Sequence, residues 1–251
     1  MPPLPPLPKK GHFLEATGLS KRYGAHQAVE SVSLRLAGSE IVGLLGPNGA
    51  GKTTTFHMIV GLIRADSGRT ELNGADISSL PMHERAARGI GYLPQESSVF
   101  RRMSVEDNIR AALETCPAMT PDVMQHRLEQ LLDELQLHGV RRQPGISLSG
   151  GECHRVEIAR LLATGPAFML LDEPFAGIDP ISVAEVQKLM LQLKRRGIGL
   201  LVTDHNVRET LKICDRGYIF NRGRIIARGT PEEILADETV REVYLGSDFR
   251  I

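Results

Sequence analysis

Three short segments of this 251-residue chain combine residue types that suit phosphate chemistry. The first begins at Gly46, directly after an apolar run, and a helix-like stretch follows it. Glycines let backbone N–H groups approach phosphate oxygens at the start of a helix. We expect Lys52 to neutralise the β- and γ-phosphates of a nucleotide and the Thr53 hydroxyl to bind Mg²⁺. The segment predicts a phosphate-binding P-loop, whose residues are Gly46, Pro47, Asn48, Gly49, Ala50, Gly51, Lys52, Thr53 and Thr54.

The second segment is Phe168-Met-Leu-Leu-Asp172-Glu173, an apolar run that ends in two acids. A buried strand here would place both carboxylates at the carboxyl edge of a parallel sheet, where open α/β folds bind their ligands. We expect Asp172 to join the ligands of Mg²⁺ and Glu173 to polarise the water that attacks the γ-phosphate. Two acids at the end of a strand are also common as solvated residues, so this interpretation depends on the P-loop upstream.

The third segment, Leu148-Ser-Gly-Gly-Glu152, precedes an amphipathic helix that contains Val156, Ile158 and Leu162. It is a second helix start rich in serine and glycine, and such a start is able to hold an anion. The sequence therefore contains two candidate phosphate sites.

The hydrophobic pattern predicts the elements that must position these segments. Residues 31–36 alternate polar and apolar side chains, which is typical of a half-buried antiparallel strand. Three apolar runs, at 41–45, 168–171 and 198–202, are typical of strands covered on both faces of a mostly parallel sheet. The last run follows apolar residues at helical spacing over 183–193. Strands that alternate with helices predict an α/β fold.

Two other regions differ from this alternation. Between Ser104 and Leu148 an apolar stripe at helical spacing continues without a strand signal, which predicts an inserted helical subdomain. Near the end, the runs at 218–220 and 225–227 flank a turn and predict a hairpin. The sequence Thr230-Pro-Glu-Glu then predicts the start of another helix.

Composition excludes several classes of protein. Lys and Arg number 30, as do Asp and Glu, so the net charge is zero and nucleic acid is not expected as a partner. No apolar run approaches the roughly 18 residues of a membrane span. Three widely spaced cysteines predict a reduced, cytoplasmic setting. Residues 1–10 are rich in proline and are interpreted as a flexible tail, with docking to a proline-reading domain as the alternative.

Taken in chain order, the P-loop, Leu-Ser-Gly-Gly-Glu, the acidic pair and His205 in Val-Thr-Asp-His resemble the motifs of the ATP-binding-cassette ATPases. The resemblance covers nearly the whole chain after the tail. It implies ATP and Mg²⁺ as cofactors and one ATPase domain, a P-loop NTPase (RecA-like) core with an N-terminal antiparallel β subdomain and an inserted helical subdomain. The expected boundaries are 11–251 for the domain, about 11–95 and 155–251 for the core, and about 96–154 for the helical part.

The same resemblance assigns roles that spacing alone does not give. In the family, two ATP molecules are sandwiched in a dimer, so a homodimer is expected here, with Ser149, Gly150, Gly151 and Glu152 serving the ATP of the other subunit. Tyr23 resembles the aromatic residue that stacks on adenine, although a tyrosine in a strand core is the alternative. Matching residues also imply that Gln95 contacts Mg²⁺ and the water, that Asp179 joins the two sites and that His205 contacts the γ-phosphate.

A finer resemblance lies at 172–179, 203–211 and 243–250, which are similar to the ATPase subunits of lipopolysaccharide export systems. It implies a homodimer on the cytoplasmic face of the inner membrane, where ATP hydrolysis powers lipopolysaccharide extraction through two permease subunits. Phe100 and Arg101 match the segment that receives a short helix of each permease. The alternative is that Phe100 fills the core of the helical subdomain.

Other functions remain open at this point. The nearest alternative is the ATPase of a branched-chain amino acid importer, which we expect to have a different ending. A cassette ATPase acting on DNA or ribosomes would normally carry a coiled-coil insertion or a second cassette, and a purely regulatory nucleotide-binding module would not turn over ATP. The chain departs from close relatives at Cys153-His154, where two basic residues are usual, so the ion pairs of those basic residues are in doubt.

Overall fold

The structure, a computed structural model, describes residues 11–116, 119–204 and 207–242. The predictions for the proline-rich tail, for His205 and for the ending at 243–250 therefore lie outside the described residues. In chain order the elements are β1 (Phe13–Tyr23), β2 (His26–Ala37), β3 (Ile41–Leu45), α1 (Lys52–Val60), β4 (Ser67–Leu72), β5 (Ala75–Asp76), α2 (Met82–Ala87), β6 (Ile90–Leu93), α3 (Val105–Leu113), α4 (Pro121–Glu134), α5 (Gly150–Ala163), β7 (Phe168–Asp172), α6 (Pro180–Arg195), β8 (Gly199–Asp204), α7 (Val207–Leu211), β9 (Arg216–Asn221), β10 (Arg224–Gly229), α8 (Pro231–Ala236) and α9 (Glu238–Val240).

The strands form two sheets. Four strands in the order β2-β1-β4-β5 pair antiparallel, and six strands in the order β10-β9-β3-β8-β7-β6 form a sheet in which only the β9–β10 pair is antiparallel. The central strands β3, β7 and β8 are buried along their whole length, as their unbroken apolar runs predict. Val32, Leu34 and Leu36 of β2 are buried on one face, which confirms the predicted half-buried strand.

Helix α1 lies between the two sheets. Its Phe56 and Ile59 are fully buried in a cluster that contains Leu14 of β1 and Leu44 of β3. On the other face of the six-stranded sheet, α3 to α6 share a second cluster around Leu131. Because α1 is enclosed by both sheets, its N-terminus has a fixed position at the carboxyl edge of β3.

The predicted helical region contains α3 and α4, and α5 begins at its end. The hairpin of β9 and β10 and the capping box at Thr230 also agree with the sequence. The observed architecture confirms the predicted α/β class with a P-loop NTPase core. Helix α5 continues from Gly150 to Ala163 across the division expected near residue 154, and the division into subdomains stays a prediction.

The buried side chain of Arg85 connects the C-terminal end of α1 to the segment between β5 and α2. The Arg85 guanidinium is buried, and it donates to the carbonyl oxygens of Met58 and Ile59 at the end of α1 at 2.9 and 2.7 Å. It also donates to the carbonyl oxygens of Ser78 and Leu80 at 2.9 and 2.8 Å. A cation at the C-terminus of a helix is also favoured by the helix dipole. Arg85 therefore stabilises the helix whose other end carries the P-loop.

We expect Arg85→Met to lower the free energy of unfolding by about 3 kcal/mol or more, because it leaves buried carbonyl oxygens without donors. Arg88→Ala is the matched control, since the exposed Arg88 contacts the carboxylate and the carbonyl oxygen of the half-buried Glu84, and such surface ion pairs contribute at most about 1 kcal/mol. Urea denaturation followed by circular dichroism measures both changes. Equal losses in the two variants would contradict the stabilising role of Arg85.

Candidate active site

Two positions in the loop between β3 and α1 require glycine, because the loop backbone there lies very close to the backbone of other segments. Gly46 and Gly51 have φ values of 153° and 105°. A Cβ atom at Gly46 would lie 2.4 Å from the carbonyl oxygen of Phe220, and one at Gly51 would lie 2.5 Å from that of Ala28. Any larger residue would push the loop away from these neighbours. The glycines thus hold the loop tightly against the sheet edge, with its N–H groups at the start of α1.

Lys52 brings a buried positive charge to this loop. Its Nζ donates to the carbonyl oxygens of Gly46 and Pro47 at 2.7 and 3.1 Å. Burial lowers the pKa of Lys52, whereas the neighbouring carboxylates of Glu173 and Asp172 act to raise it. A buried ammonium group at a helix N-terminus is suited to binding a polyphosphate.

Asp172 ends β7 with its carboxylate held between two neighbouring strands. Oδ1 accepts a hydrogen bond from the Thr203 hydroxyl at 2.6 Å, and Oδ2 accepts one from the Tyr92 hydroxyl at 3.5 Å. The Tyr92 hydroxyl lies 3.2 Å from His57 Nε2 on α1. Burial raises the pKa of Asp172, and the hydrogen bond from Thr203 lowers it. Thr203 and Tyr92 therefore fix the orientation of the carboxylate.

Glu173 follows directly and has an unusual backbone conformation for a non-glycine residue, with φ of 51°. Its N–H donates to the carbonyl oxygen of Thr203 at 2.9 Å, which anchors the turn. Its Oε2 accepts a hydrogen bond from Gln95 Nε2 at 3.0 Å. The two side chains that sequence assigned to the attacking water are therefore in direct contact.

An open pocket of about 500 Å³ collects most of the predicted residues of one chain. Tyr23 is 51% exposed at its edge, so the alternative in which Tyr23 fills a strand core is wrong. The sequence reasoning missed His26 and Ala28, which also line the pocket and follow Tyr23 across the β1–β2 turn. The predicted residues in the lining are Tyr23, Asn48, Gly49, Ala50, Gly51, Lys52, Thr53, Thr54, Gln95 and Glu173.

The residues present fit a nucleotide phosphate and Mg²⁺. Lys52 and the N–H groups of the loop are donors for phosphate oxygens, and the glycines leave no Cβ atoms in the cradle. Thr53 and Gln95 line the pocket, and their oxygens, like the buried carboxylate of Asp172, are hard ligands of the kind that Mg²⁺ prefers. Tyr92 and Thr203, which orient Asp172, were not predicted, because they follow from the order of the strands.

The serine and glycine segment occupies a different part of the surface. Ser149 caps α5 in a capping box, in which its Oγ accepts from the Glu152 N–H at 3.3 Å and Glu152 Oε2 accepts from the Ser149 N–H at 2.8 Å. None of residues 149–152 is among those that line the P-loop pocket within the described part of the chain. A Cβ atom at Gly151 would lie 2.8 Å from Ser182 Oγ, so the segment packs against the start of α6.

Asp179 and Phe100 lie at two other surfaces. Asp179 caps α6 by accepting hydrogen bonds from the N–H groups of Ile181 and Ser182 at 3.0 Å each, and the Ser182 hydroxyl bond lowers its pKa. Phe100 is 47% exposed and Arg101 is exposed. The alternative in which Phe100 fills the core of the helical subdomain is therefore wrong.

Known proteins resemble this chain along most of its length. Residues 29–176 match the family model described as "ABC transporter", and residues 224–250 match the one described as "Branched-chain amino acid ATP-binding cassette transporter". A crystal structure of a nucleotide-free ATP-binding cassette from an ABC transporter superposes with a TM-score of 0.84 at 30% identity, over 94% of this chain and 100% of that one. The chain therefore belongs to the ATP-binding subunits of ABC transporters, and it hydrolyses ATP to drive transport.

Two relatives have more specific names. The chain is 60% identical to the lipopolysaccharide export system ATP-binding protein LptB of Acidithiobacillus ferridurans, over 95% of this chain and 99% of the relative. It is 54% identical to the protein of the same name from Escherichia coli strain K12, again over 95% and 99%. The expected family is confirmed. Among the described residues, no helix is both long and apolar enough to cross a membrane.

Proposed function

We propose that this chain is the ATPase subunit of a lipopolysaccharide exporter, in which a homodimer binds two ATP molecules and powers extraction of lipopolysaccharide from the inner membrane. The observation that carries the proposal is the 60% identity to an LptB protein over nearly the full length of both chains. The proposed location is the cytoplasmic face of the inner membrane. The proposed partners are two permease subunits of the LptF and LptG type.

The roles proposed for the site rest on its geometry and charge together with the family resemblance. Glu173 accepts the proton of the attacking water, and Gln95, which donates to Glu173, reports the state of the site. Bound Mg²⁺ would neutralise charge on the β- and γ-phosphates. Thr53, Gln95 and Asp172 are the proposed ligands of Mg²⁺, Tyr23 is the proposed adenine platform, and His205 is proposed to contact the γ-phosphate.

The proposed homodimer assigns a role to Ser149 and Asp179, which are not among the residues that line the P-loop pocket. Ser149 caps α5 away from that pocket; the residue is exposed, and its hydroxyl donates to Glu152 Oε2 at 2.7 Å. An exposed helix N-terminus is suited to a phosphate held by a second chain. Gly151 packs against the start of α6, so Asp179 and Ser149 lie on neighbouring helix starts. This arrangement supports the proposed role of Asp179 in linking the two sites.

Docking of the permeases is assigned to Phe100 and Arg101, an exposed aromatic side chain beside a cation. We expect Phe100→Ala to leave the melting temperature and the ATPase rate of the isolated protein nearly unchanged, because Phe100 is 47% exposed and belongs to none of the hydrophobic clusters of the described residues. The binding free energy for the permeases should weaken by about 2 kcal/mol or more, the usual loss for a central aromatic anchor. Transport should stop as a result. Pull-down with the detergent-solubilised permeases measures capture.

Leu62→Ala is the matched control for this experiment. Leu62 is 46% exposed, close to the exposed fraction of Phe100, and it lies beyond the end of α1 rather than near the helical insertion. It should bind the permeases as the unchanged protein does. Loss of fold or basal ATPase in Phe100→Ala would contradict the docking role.

A second candidate function is the ATPase of a branched-chain amino acid importer, favoured by the family match of residues 224–250. The expectation that such an importer has a different ending is wrong, because this ending matches that family model. The two functions can be distinguished by which permeases bind this chain. The chain should restore lipopolysaccharide at the cell surface when it replaces LptB in Escherichia coli, and it should co-purify with LptF- and LptG-type subunits. Co-purification with amino acid permeases instead would overturn the proposal.

A further inference from the structure

Thr203 lies in the strand between the two strands that carry the site. It is fully buried in β8, opposite Asp172 of β7 on one side and opposite Leu44 of β3 on the other. The P-loop follows β3 directly, and the two acids lie at the end of β7. A β-branched side chain in a buried strand has little rotational freedom, so the Thr203 hydroxyl has a fixed position beside the acids.

The Thr203 hydroxyl contacts both acidic residues. Its Oγ1 donates to Asp172 Oδ1 at 2.6 Å and accepts from the Glu173 N–H at 3.2 Å. A hydroxyl has a single proton, and Asp172 receives it, so toward Glu173 the Oγ1 atom can only accept. The two hydrogen bonds therefore form one chain of fixed polarity, from the Glu173 N–H through the Thr203 hydroxyl to the Asp172 carboxylate.

The end of β8 also holds the turn that follows Asp172 at a second point. The Glu173 N–H is shared between Oγ1 and the carbonyl oxygen of Thr203, the latter at 2.9 Å. The next residue of β8, Asp204, is fully buried, and its Oδ2 accepts from the Phe175 N–H at 3.2 Å. A backbone with φ of 51° at a glutamate persists only where its surroundings hold it. The position of Glu173 thus depends on the end of β8.

We propose that Thr203 is a positioning residue whose hydroxyl couples the Mg²⁺ ligand Asp172 to the general base Glu173. The hydrogen-bond partners of a ligating carboxylate set its orientation. Here the same hydroxyl also binds the backbone of the base, so the metal ligand and the base keep one fixed separation. This inference rests on the roles proposed above for Asp172 and Glu173. Tyr92 provides a contrast, because its hydroxyl contacts Asp172 and His57 and lies on a different strand from the turn at Glu173.

Substitutions that remove only the hydroxyl test this coupling. Thr203→Val replaces the hydroxyl by a methyl group, whereas Thr203→Ser keeps it. The first measurement is the affinity of the full-length chain for Mn²⁺ with ADP present, from the electron paramagnetic resonance of free Mn²⁺. Mn²⁺ replaces Mg²⁺ because both prefer oxygen ligands, and no turnover is involved. The second measurement is kcat for ATP at saturating Mg²⁺.

We expect Thr203→Val to weaken Mn²⁺ binding and to reduce kcat, each by about 10-fold or more, the usual cost of losing a partner of a metal ligand. Thr203→Ser should recover most of both. Tyr92→Phe should weaken Mn²⁺ binding but retain kcat at saturating Mg²⁺, because the turn at Glu173 keeps its hydrogen bonds. Thr70→Val is the control for losing a buried hydroxyl, since Thr70 lies in β4 of the other sheet, and it should change neither quantity.

Several results would contradict the coupling. Loss of only one of the two quantities in Thr203→Val, or of neither, would show that the hydroxyl does not serve both acids. Failure of Thr203→Ser to recover them would show that the hydroxyl is not responsible. Equal loss of kcat in Tyr92→Phe would assign the effect to Asp172 alone. If Thr203→Val does not fold, Thr203→Ser and Thr203→Ala give the same comparison, because both lack the methyl group.

Asp172→Asn separates the inference from the proposed function. We expect it to weaken Mn²⁺ binding at least as much as Thr203→Val does, because it removes the charge of the ligand itself. If Asp172→Asn weakens Mn²⁺ binding and Thr203→Val does not, the proposed metal site stands and the role of Thr203 is wrong. If Asp172→Asn binds Mn²⁺ as tightly as the unchanged protein, Asp172 is not a ligand, and the inference fails with it.

Discussion

Glu173→Gln is expected to reduce ATP turnover by about 10²- to 10⁴-fold while Mg-ATP is still bound. An amide cannot accept the proton of the attacking water, whereas its size and shape match those of the carboxylate. The pocket around Lys52 should stay intact, because Glu173 is anchored through its N–H to the Thr203 carbonyl oxygen and substitution leaves that bond in place. ATP-bound dimers should therefore accumulate, and size-exclusion chromatography with Mg-ATP should detect them.

The matched control is Glu96→Gln, which removes one carboxylate from the exposed residue beside Gln95. It should leave turnover close to that of the unchanged protein. If Glu173→Gln keeps more than about a tenth of the original turnover, the assignment of Glu173 as general base is wrong. Loss of ATP binding in a filter assay would instead show that Glu173 is needed to maintain the pocket.

Mixing two inactive chains is expected to restore ATPase activity. Lys52→Ala removes the ammonium group from the P-loop, and Ser149→Arg blocks the start of α5 with a bulky cation. In a heterodimer of the two, both lesions fall on one shared site, and the other site keeps an intact P-loop and an intact Ser149. Activity that neither chain has alone should appear after mixing, measured as phosphate release.

Lys52→Ala mixed with Asp172→Asn is the control for this experiment. Both changes lie on the P-loop side of the site, so each site of that heterodimer carries one lesion and no activity should appear. Differently tagged chains allow heterodimer formation to be verified by pull-down. If heterodimers form and the first mixture stays inactive, the shared-site arrangement is contradicted.

Local sequence patterns determined the class of fold and the position of the P-loop. Unbroken apolar runs predicted β3, β7 and β8, because a strand covered on both faces needs no polar alternation. The glycine pattern predicted the loop from Gly46 to Gly51, because two of its positions tolerate no Cβ atom. The motifs in chain order were sufficient to identify the family. Each of these signals lies within a few neighbouring residues.

Tertiary structure alone decided which distant residues support the site. Tyr92 and Thr203 reach Asp172 because β6, β7 and β8 are neighbours in the six-stranded sheet, and hydrophobic periodicity does not specify that order. No signal in the sequence indicated Arg85, because only the fold brings its guanidinium within hydrogen-bond distance of four carbonyl oxygens.

The same limit applies to the contacts of α5. Ser98 and Glu157 are 59 residues apart in the chain, and their hydrogen bond exists because α5 packs beside the segment that follows β6. The apolar stripe of α5 predicted which face is buried, but it did not predict which segment lies against that face. Sequence thus determined the chemistry of the nucleotide site. Packing between separate elements decided how that chemistry is connected to the proposed docking surface at Phe100, because such contacts depend on the whole chain.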